Sequence, residues 1–527
     1  MIKLIENELI KIFKRKSIYV LLVFSLIAII IYNYMNPDQN DSTLKMNTDD
    51  LDISILEKGI EDIKNRMAEE NTTDKNEEVQ PQNDVQKFLQ NLNSSIEGLV
   101  IQNIDLEFAK LYDRYEKESW QRYALNEERN GYSFENNSNL TYNHDIKSNI
   151  KTIKDYELNP DTQITKEQYD KAVEKYNGYV KTLDSNNWKE YVTYRINSLK
   201  EEKDLASKEE ANWLQIEIDI NQMRLDNNIE YKDNRLNIYI EEYRSNYYSL
   251  QNYEEIEEKD DFTKKQIKTT KGEVSLLKYA IEHNITQDIS SEKYNLLLEN
   301  KIDARISFIR TFEHFDLIIV IIAIYISCMI VTEEMNKRTI KNLLTKPHKR
   351  SSILFSKMIA CLITVVISMI FVCVVQYIVG GLIYGFDSYG LDYIGYNYNT
   401  DEVFEMNIFE FIVLEGLTKL PMYIIVILFC IFIGTINNNT SMTMILTLII
   451  FMIGNSLLEE WSKSETLAMA FKYFITNNWD FSTYLFGNFS EIPGINLKFS
   501  IIVYIIYSAI FIIGAMKTFE NKEISNQ

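Results

Sequence analysis

Apolar and polar residues follow two different patterns along this chain, and the change of pattern divides it. Ile18 to Met35 contains no charged residue, and a helix of that length, at about 1.5 Å per residue, nearly spans the roughly 30 Å of a bilayer's hydrocarbon. Leu317 to Val331, Met358 to Phe386 and Phe499 to Met516 are further uncharged runs. Leu420 to Leu458 holds 39 uncharged residues, too many for one crossing, and Asn437-Asn438-Asn439-Thr440-Ser441 splits it into two runs of 17. Six crossings are expected. Ahead of the first, Ile2, Ile5, Leu9 and Ile12 recur at helical spacing, with Lys3, Glu6, Lys11 and Lys14 elsewhere on the wheel. That is an amphipathic helix suited to the inner leaflet and its lipid. Lys14-Arg15-Lys16 before the first run mimics a signal peptide, but the run is too long and no small-x-small site follows, so it reads as a retained span.

Asn36 to His314 has the other pattern. Asp38 to Asp50, Asn71 to Asn83 and Asn130 to Asp161 are polar and Asn-rich, and read as loops. Asp52 to Glu69, Asp84 to Glu128 and a long stretch from Lys166 onward read as helices. Val192, Leu199, Ala206, Trp213 and Ile220 fall seven residues apart, which suggests long antiparallel helices packed along a seam. Trp120, Tyr123, Trp188, Tyr191, Tyr194, Trp213, Tyr247 and Tyr248 could fill such a core or present an aromatic binding surface. Beyond the third run, Gly381 and Gly385 make a weak small-xxx-small match, and Asp387 to Asn407 is a Tyr-rich loop. Ile408 to Leu420, with Glu410, Glu415 and Lys419, reads as an interfacial segment ahead of Pro421. Glu459 to Lys498 is rich in rings, as an interfacial aromatic belt would be.

The expected fold is therefore all-α: a six-span polytopic membrane protein with a large helical extracytoplasmic domain between spans 1 and 2. Residues 1–35 form the interfacial helix and span 1, residues 36–314 the external domain, and residues 315–527 the remaining spans, with a basic loop at 333–357 and an external aromatic loop at 459–498. Between Glu333 and Lys357 there are seven Lys or Arg against two Glu, which puts this loop, and with it both termini, in the cytoplasm.

Charge sharpens the division. Of a net −21, residues 36–314 supply −20, from 57 Asp or Glu against 37 Lys or Arg. Such a domain would repel nucleic acid. Cys328, Cys361, Cys373 and Cys430 all lie in apolar runs, so the external domain has neither a disulfide nor a thiolate zinc site. His144, His283 and His314 have no partner at metal-ligand spacing, and no catalytic constellation stands out. No Gly-x-x-x-x-Gly-Lys-Ser/Thr sequence occurs, so no phosphate loop for ATP can form here. The apolar runs read as free of buried ionisable residues, which argues against proton or sodium coupling. The high Ile, Asn, Lys and Tyr usage suits an AT-rich bacterial genome, hence a bacterial cell membrane.

The basic loop is the most specific feature. Glu333-Glu334 closes the second span, Thr339-Ile340-Lys341-Asn342-Leu343-Leu344 follows, and Lys346-Pro347 makes a turn. This resembles the first cytoplasmic loop of ABC-2 type transporter permeases. The resemblance implies that Glu333, Glu334, Lys337, Thr339, Ile340, Leu343, Leu344, Lys346 and Pro347 form a coupling helix docked in a separate ABC ATPase subunit. It implies that the N-terminal helix touches the same partner, and that the ring-rich segment before the last span is a re-entrant hairpin. It also implies a second permease chain, identical or related, and an amphipathic substrate such as a peptide antibiotic, a bacteriocin, a drug or a lipid-like molecule. Such a chain is not an enzyme and binds no cofactor; ATP-Mg is held by the partner. The large first external loop departs from the compact family pattern. It leaves open a membrane subunit that transports nothing and transmits ATPase motion outward for sensing or cell-wall enzyme regulation, and, more remotely, a membrane-anchored binding receptor.

Overall fold

Helix starts in the charged middle of the chain are set by small polar residues. Thr165, Asn187, Ser207, Asn234 and Asp260 each accept a backbone N–H from the first turn of the helix that follows, and Thr165 forms a reciprocal capping box with Gln168. Two of the turns between them use asparagine with positive φ, Asn186 and Asn228. The expected long seam is therefore cut into helices of about five turns.

The computed structural model describes residues 1–35, 52–73, 83–130, 146–286, 289, 303–336, 349–437, 439–462, 467, 470–490, 492 and 494–521. In chain order the helices are α1 (Ile2–Phe13), α2 (Lys16–Met35), α3 (Ile53–Thr73), α4 (Asn83–Asp113), α5 (Trp120–Asn130), α6 (Ile146–Leu158), α7 (Lys166–Asp184), α8 (Trp188–Lys203), α9 (Lys208–Asp226), α10 (Arg235–Glu255) and α11 (Asp261–Glu282). They continue as α12 (Ala304–Ile309), α13 (Thr311–Asn336) and α14 (Arg350–Tyr384), then an antiparallel hairpin of β1 (Tyr393–Asn397) and β2 (Glu402–Met406), then α15 (Ile408–Ile436), α16 (Thr440–Ser462) and α17 (Leu497–Asn521). The chain divides into two units, Ser42–Asp288 and the union of Met1–Asp41 with Ile289–Gln527.

In the Ser42–Asp288 unit each helix packs chiefly on its neighbours in sequence: α3 on α4, α6 on α7, α8 on α9, α10 on α11. Val192, Leu199, Trp213 and Ile220 are buried as their spacing suggests, whereas Ala206 lies in the turn between α8 and α9. Trp120, Tyr123, Tyr191 and Trp213 are buried, so these rings fill a core. Two expectations change. The stretch at 84–128 breaks between Asp113 and Trp120, and the expected loop at 130–161 contains α6, whose Ile146 and Ile150 are buried beside Phe108 and Tyr112. Two apolar residues four apart were enough to seat one face of a short helix.

A network of buried charges, unmarked in the sequence, also lies in this unit. Glu127 on α5 approaches Arg224 at 2.5 Å, Arg244 at 3.3 Å and Arg195 at 3.8 Å. Glu217 takes Arg244 at 2.9 Å and a hydrogen bond from the Tyr248 hydroxyl at 2.7 Å. The Arg224 guanidinium also lies over the Tyr231 ring, 3.8 Å from its centroid. Burial works to raise the Glu127 carboxyl, but Arg224, Arg244 and Arg195 together outweigh it and hold the group below its ordinary value. Glu217 is likewise held low, burial being outweighed by Arg244 and Arg195.

The described residues of the other unit share a large core drawn from α1, α2 and α12 to α17. Among the described residues five helices are long and apolar enough to cross a membrane: Lys16–Met35, Ala304–Thr332, Arg350–Tyr384, Ile408–Ile436 and Leu497–Asn521. The remaining expected run lies on α16, whose described apolar part, Thr440–Phe451, is shorter. These are the helices of an all-α, multi-pass membrane protein. The unit begins before Phe315, because Ala304, Phe308, Ile309 and Phe312 are buried in its core. The break between α15 and α16 falls at the expected asparagines. Ile408 to Leu420, however, is no separate interfacial segment. It is the first part of α15, and Pro421 sits inside that helix, followed by the buried Met422 and Tyr423. Gly381 and Gly385 serve the end of α14: a Cβ at Gly381 would strike the Phe386 ring at 2.3 Å, and Gly385 takes φ 91° to leave the helix.

Candidate functional site

At one end of the membrane helices, α1 is fastened to α13 and α14. Lys357 Nζ donates to Glu8 Oε2 at 3.1 Å and to the Ile330 carbonyl at 3.1 Å, and Lys11 Nζ donates to Glu8 Oε1 at 2.8 Å. The Glu8 and Lys357 side chains retain only 3% and 1% of their surface. In so apolar a setting a lysine needs a partner fixed beside it. At the same end Thr332 Oγ1 lies 2.7 Å from Thr440 Oγ1, joining α13 to α16. Arg350 Nη1 donates to the Glu520 carbonyl at 2.7 Å, joining α14 to α17.

The N-terminal helix, expected to be interfacial, is packed into the core. Ile12 is buried and Ile5 and Leu9 are partly buried against the core, while Ile2, at 81% exposure, faces away. Of the expected coupling residues, Glu333 and Glu334 stand in the last turn of α13. Lys337, Thr339, Ile340, Leu343, Leu344, Lys346 and Pro347 lie outside the described residues. The structure therefore brings the N-terminal helix and both ends of the expected loop to one place.

The membrane helices run past the uncharged stretches, and the expectation that the spans lack buried ionisable groups is overturned there. Besides Lys357, a second polar cluster lies towards the opposite end of the helices. Lys419 of α15 donates to Asp480 Oδ2 at 2.7 Å and to Asp316 Oδ2 of α13 at 3.3 Å, and the Tyr423 hydroxyl donates to Asp316. Asp480 is held in turn by the N–H of Ser482 at 2.9 Å and its hydroxyl at 2.6 Å. A cavity of about 470 Å³ opens beside this cluster. Also at that end, Asn33, Ser307 and Gln376 form a closed triangle: Asn33 Nδ2 donates to Gln376 Oε1 (2.9 Å), Gln376 Nε2 to Ser307 Oγ (2.5 Å) and Ser307 Oγ to Asn33 Oδ1 (2.7 Å). It ties α2, α12 and α14 together with each member satisfied.

Sequence signals for these residues existed but were weak. Glu8 interrupts the apolar stripe Ile5-Leu9-Ile12, and Lys419 follows a helical turn after Glu415 in a segment otherwise apolar. Nothing local links Glu8 to Lys357, since the partners are 349 residues apart.

Comparison with known proteins agrees with the division into units. A family described as a protein of unknown function (DUF2705) matches residues 293–525. The chain is 24% identical over 259 residues to the uncharacterized protein YhcI of Bacillus subtilis (strain 168), covering 49% of this chain and 77% of that protein. No solved structure matches.

Proposed function

We propose that this chain is the membrane subunit of an ABC-2 type exporter, driven by ATP-Mg hydrolysis on a separate ABC ATPase and moving an amphipathic substrate outward. The observation that carries the reading is the Glu8–Lys357–Ile330 contact. A push on residues 333–357 would reach α13 and α14 directly, and the same contact obliges α1 to move with them. Rigid coupling of this kind converts closure of a partner into tilting of spans. The finer topology belongs to the same reading: six spans in a bacterial cell membrane, both termini cytoplasmic, residues 36–314 outside, and two permease chains around the path. The test is to look for an ABC ATPase gene beside this one and to co-express its product with this chain. Co-purification, with ATP hydrolysis stimulated by the chain, is expected; an ATPase that neither binds nor responds would remove the proposal.

The size of the Ser42–Asp288 unit favours a second reading, in which ATPase motion is passed to that unit and nothing crosses the membrane. Replacing residues 42–288 by a short linker distinguishes the two. Under the export reading the shortened chain still binds its ATPase but loses substrate selection; under the second it retains only ATP hydrolysis.

A further inference from the structure

The cavity beside Lys419 has about 470 Å³ of space, within the range of small-molecule sites. Its wall bears Glu313, Asp316 and Asp480 against Lys419. Arg310 approaches Glu313 at 3.8 Å, so among the described residues three carboxylates face two cations, and Lys419 is already divided between Asp480 and Asp316. One negative charge is in excess in a region walled by apolar helices, where an uncompensated charge is costly. A further observation points to a ligand. Trp479, also on the wall and buried, stacks on Phe451 with ring centroids 4.9 Å apart, giving the cavity an aromatic side.

An anion would meet the excess carboxylate, and a neutral molecule would leave it uncompensated. A cation on an apolar body satisfies both halves of the wall. We propose that this cavity binds an amphiphile bearing one ammonium group, the ammonium at Asp316 and Asp480 and the apolar body along Trp479 and Phe451. Its role as a cargo site rests on the exporter reading; the binding itself does not, and it is measured without any ATPase.

The experiment is equilibrium binding of octylamine to the full chain in nanodiscs, with empty nanodiscs subtracting partition into lipid. Saturable binding is expected for octylamine and not for octanol or octanoate. Asp480→Asn should weaken it by about tenfold or more. Because that change also breaks an ion pair, Glu313→Lys is the second variant: its side chain is 53% exposed, so folding tolerates the change, and binding should fall by a similar factor of about ten. Octylamine binding that never saturates, that octanol matches, or that a folded Glu313→Lys chain retains would overturn the site. Nanodiscs of phosphatidylglycerol alone, compared with nanodiscs containing phosphatidylethanolamine, identify the source of the ammonium. Competition by the second lipid assigns the site to an amino-lipid headgroup, and its absence assigns it to a free amphiphile. Failure here leaves ATPase assembly untouched, and failure of that assembly leaves octylamine binding to stand.

Discussion

Glu8 and Lys357 form a buried ion pair between the N-terminal helix and the start of α14, with Nζ to Oε2 at 3.1 Å. The pair is buried, and Glu8 is shared with Lys11 at 2.8 Å. Because Lys11 stays beside Glu8 when Lys357 is replaced by Met, the costlier single change is Glu8→Leu, which takes the carboxylate from the buried Lys357 and should cost about 3–5 kcal/mol. The double change Glu8→Leu with Lys357→Met removes both charges and should restore most of that loss, since apolar replacements of buried pairs are often neutral. Thermal unfolding of the three variants in detergent measures this. A double variant as unstable as the worse single one would show that the pair is not what fixes α1.

Glu127 and Glu217 give the charged network of the Ser42–Asp288 unit an acid sensitivity below the ordinary carboxylate range, whereas Glu241, beside Arg244 at 2.5 Å and pushed up to about 7 by burial, works in the opposite direction at higher pH. Glu127 and Glu217 are held below their ordinary values, so the folded state prefers them ionised more strongly than the unfolded chain does. Their contribution is complete above the ordinary carboxylate range and is lost as pH falls through it towards their lowered values. Hydrogen-exchange protection of α5 and α9 in the intact chain, corrected for the intrinsic exchange rate, should fall on acidification below about pH 4.5, near the ordinary glutamate value. Glu127→Gln leaves Arg195 and Arg224 poorly compensated and should destabilise the unit by about 3–5 kcal/mol even at neutral pH. Protection in α5 that is unchanged by the substitution would count against the network.

What could be read in advance follows from the range of the interaction involved. Uncharged runs and the asparagine break after Ile436 are local, and they mark the membrane helices because lipid imposes its demand on each segment separately. The capping residues Thr165, Asn187, Ser207, Asn234 and Asp260 are local too, yet the sevenfold spacing of Val192 to Ile220 suggested longer helices. That repeat runs through the α8–α9 turn at Ala206, because two antiparallel helices present the same face to one core. The buried charges were illegible for the opposite reason. Lys419 looks like an interfacial lysine until Asp316, 103 residues away, and Asp480, 61 residues away, are brought to it.

Topology offers an independent check on the export reading. Cys328, Cys361, Cys373 and Cys430 lie in apolar helices, so a cysteine-free chain can be made as a background. Leu205, 78% exposed in the turn after α8, and Lys517, exposed near the end of α17, are then replaced singly by cysteine. In intact cells an impermeant maleimide should label Leu205→Cys, and should label Lys517→Cys only after the membrane is opened. The reverse order would place the Ser42–Asp288 unit in the cytoplasm and end the export reading.

The most discriminating prediction concerns the basic loop between α13 and α14. Its sequence contains Ile340, Leu343 and Leu344, apolar residues among lysines and arginines, where adjacent leucines exposed to water would have little reason to stand. Their three- and four-residue spacing puts them on one face of any helix that includes them, and Pro347 biases Lys346 before it away from helical geometry. A small apolar ridge with a fixed end suits a groove on a partner, with the surrounding charges setting register more than affinity. Changing Leu343 and Leu344 together to Asp would force two carboxylates into that groove unpaired. The double variant should insert in the membrane at normal yield, bind its ATPase at least tenfold more weakly, and lose transport in proportion. The substitutions lie away from Glu8 and Lys357, so the thermal stability of the membrane helices should stay as it was. Co-purification with the ATPase at full yield, with transport undiminished, would show that the ridge packs elsewhere and that coupling runs through other residues.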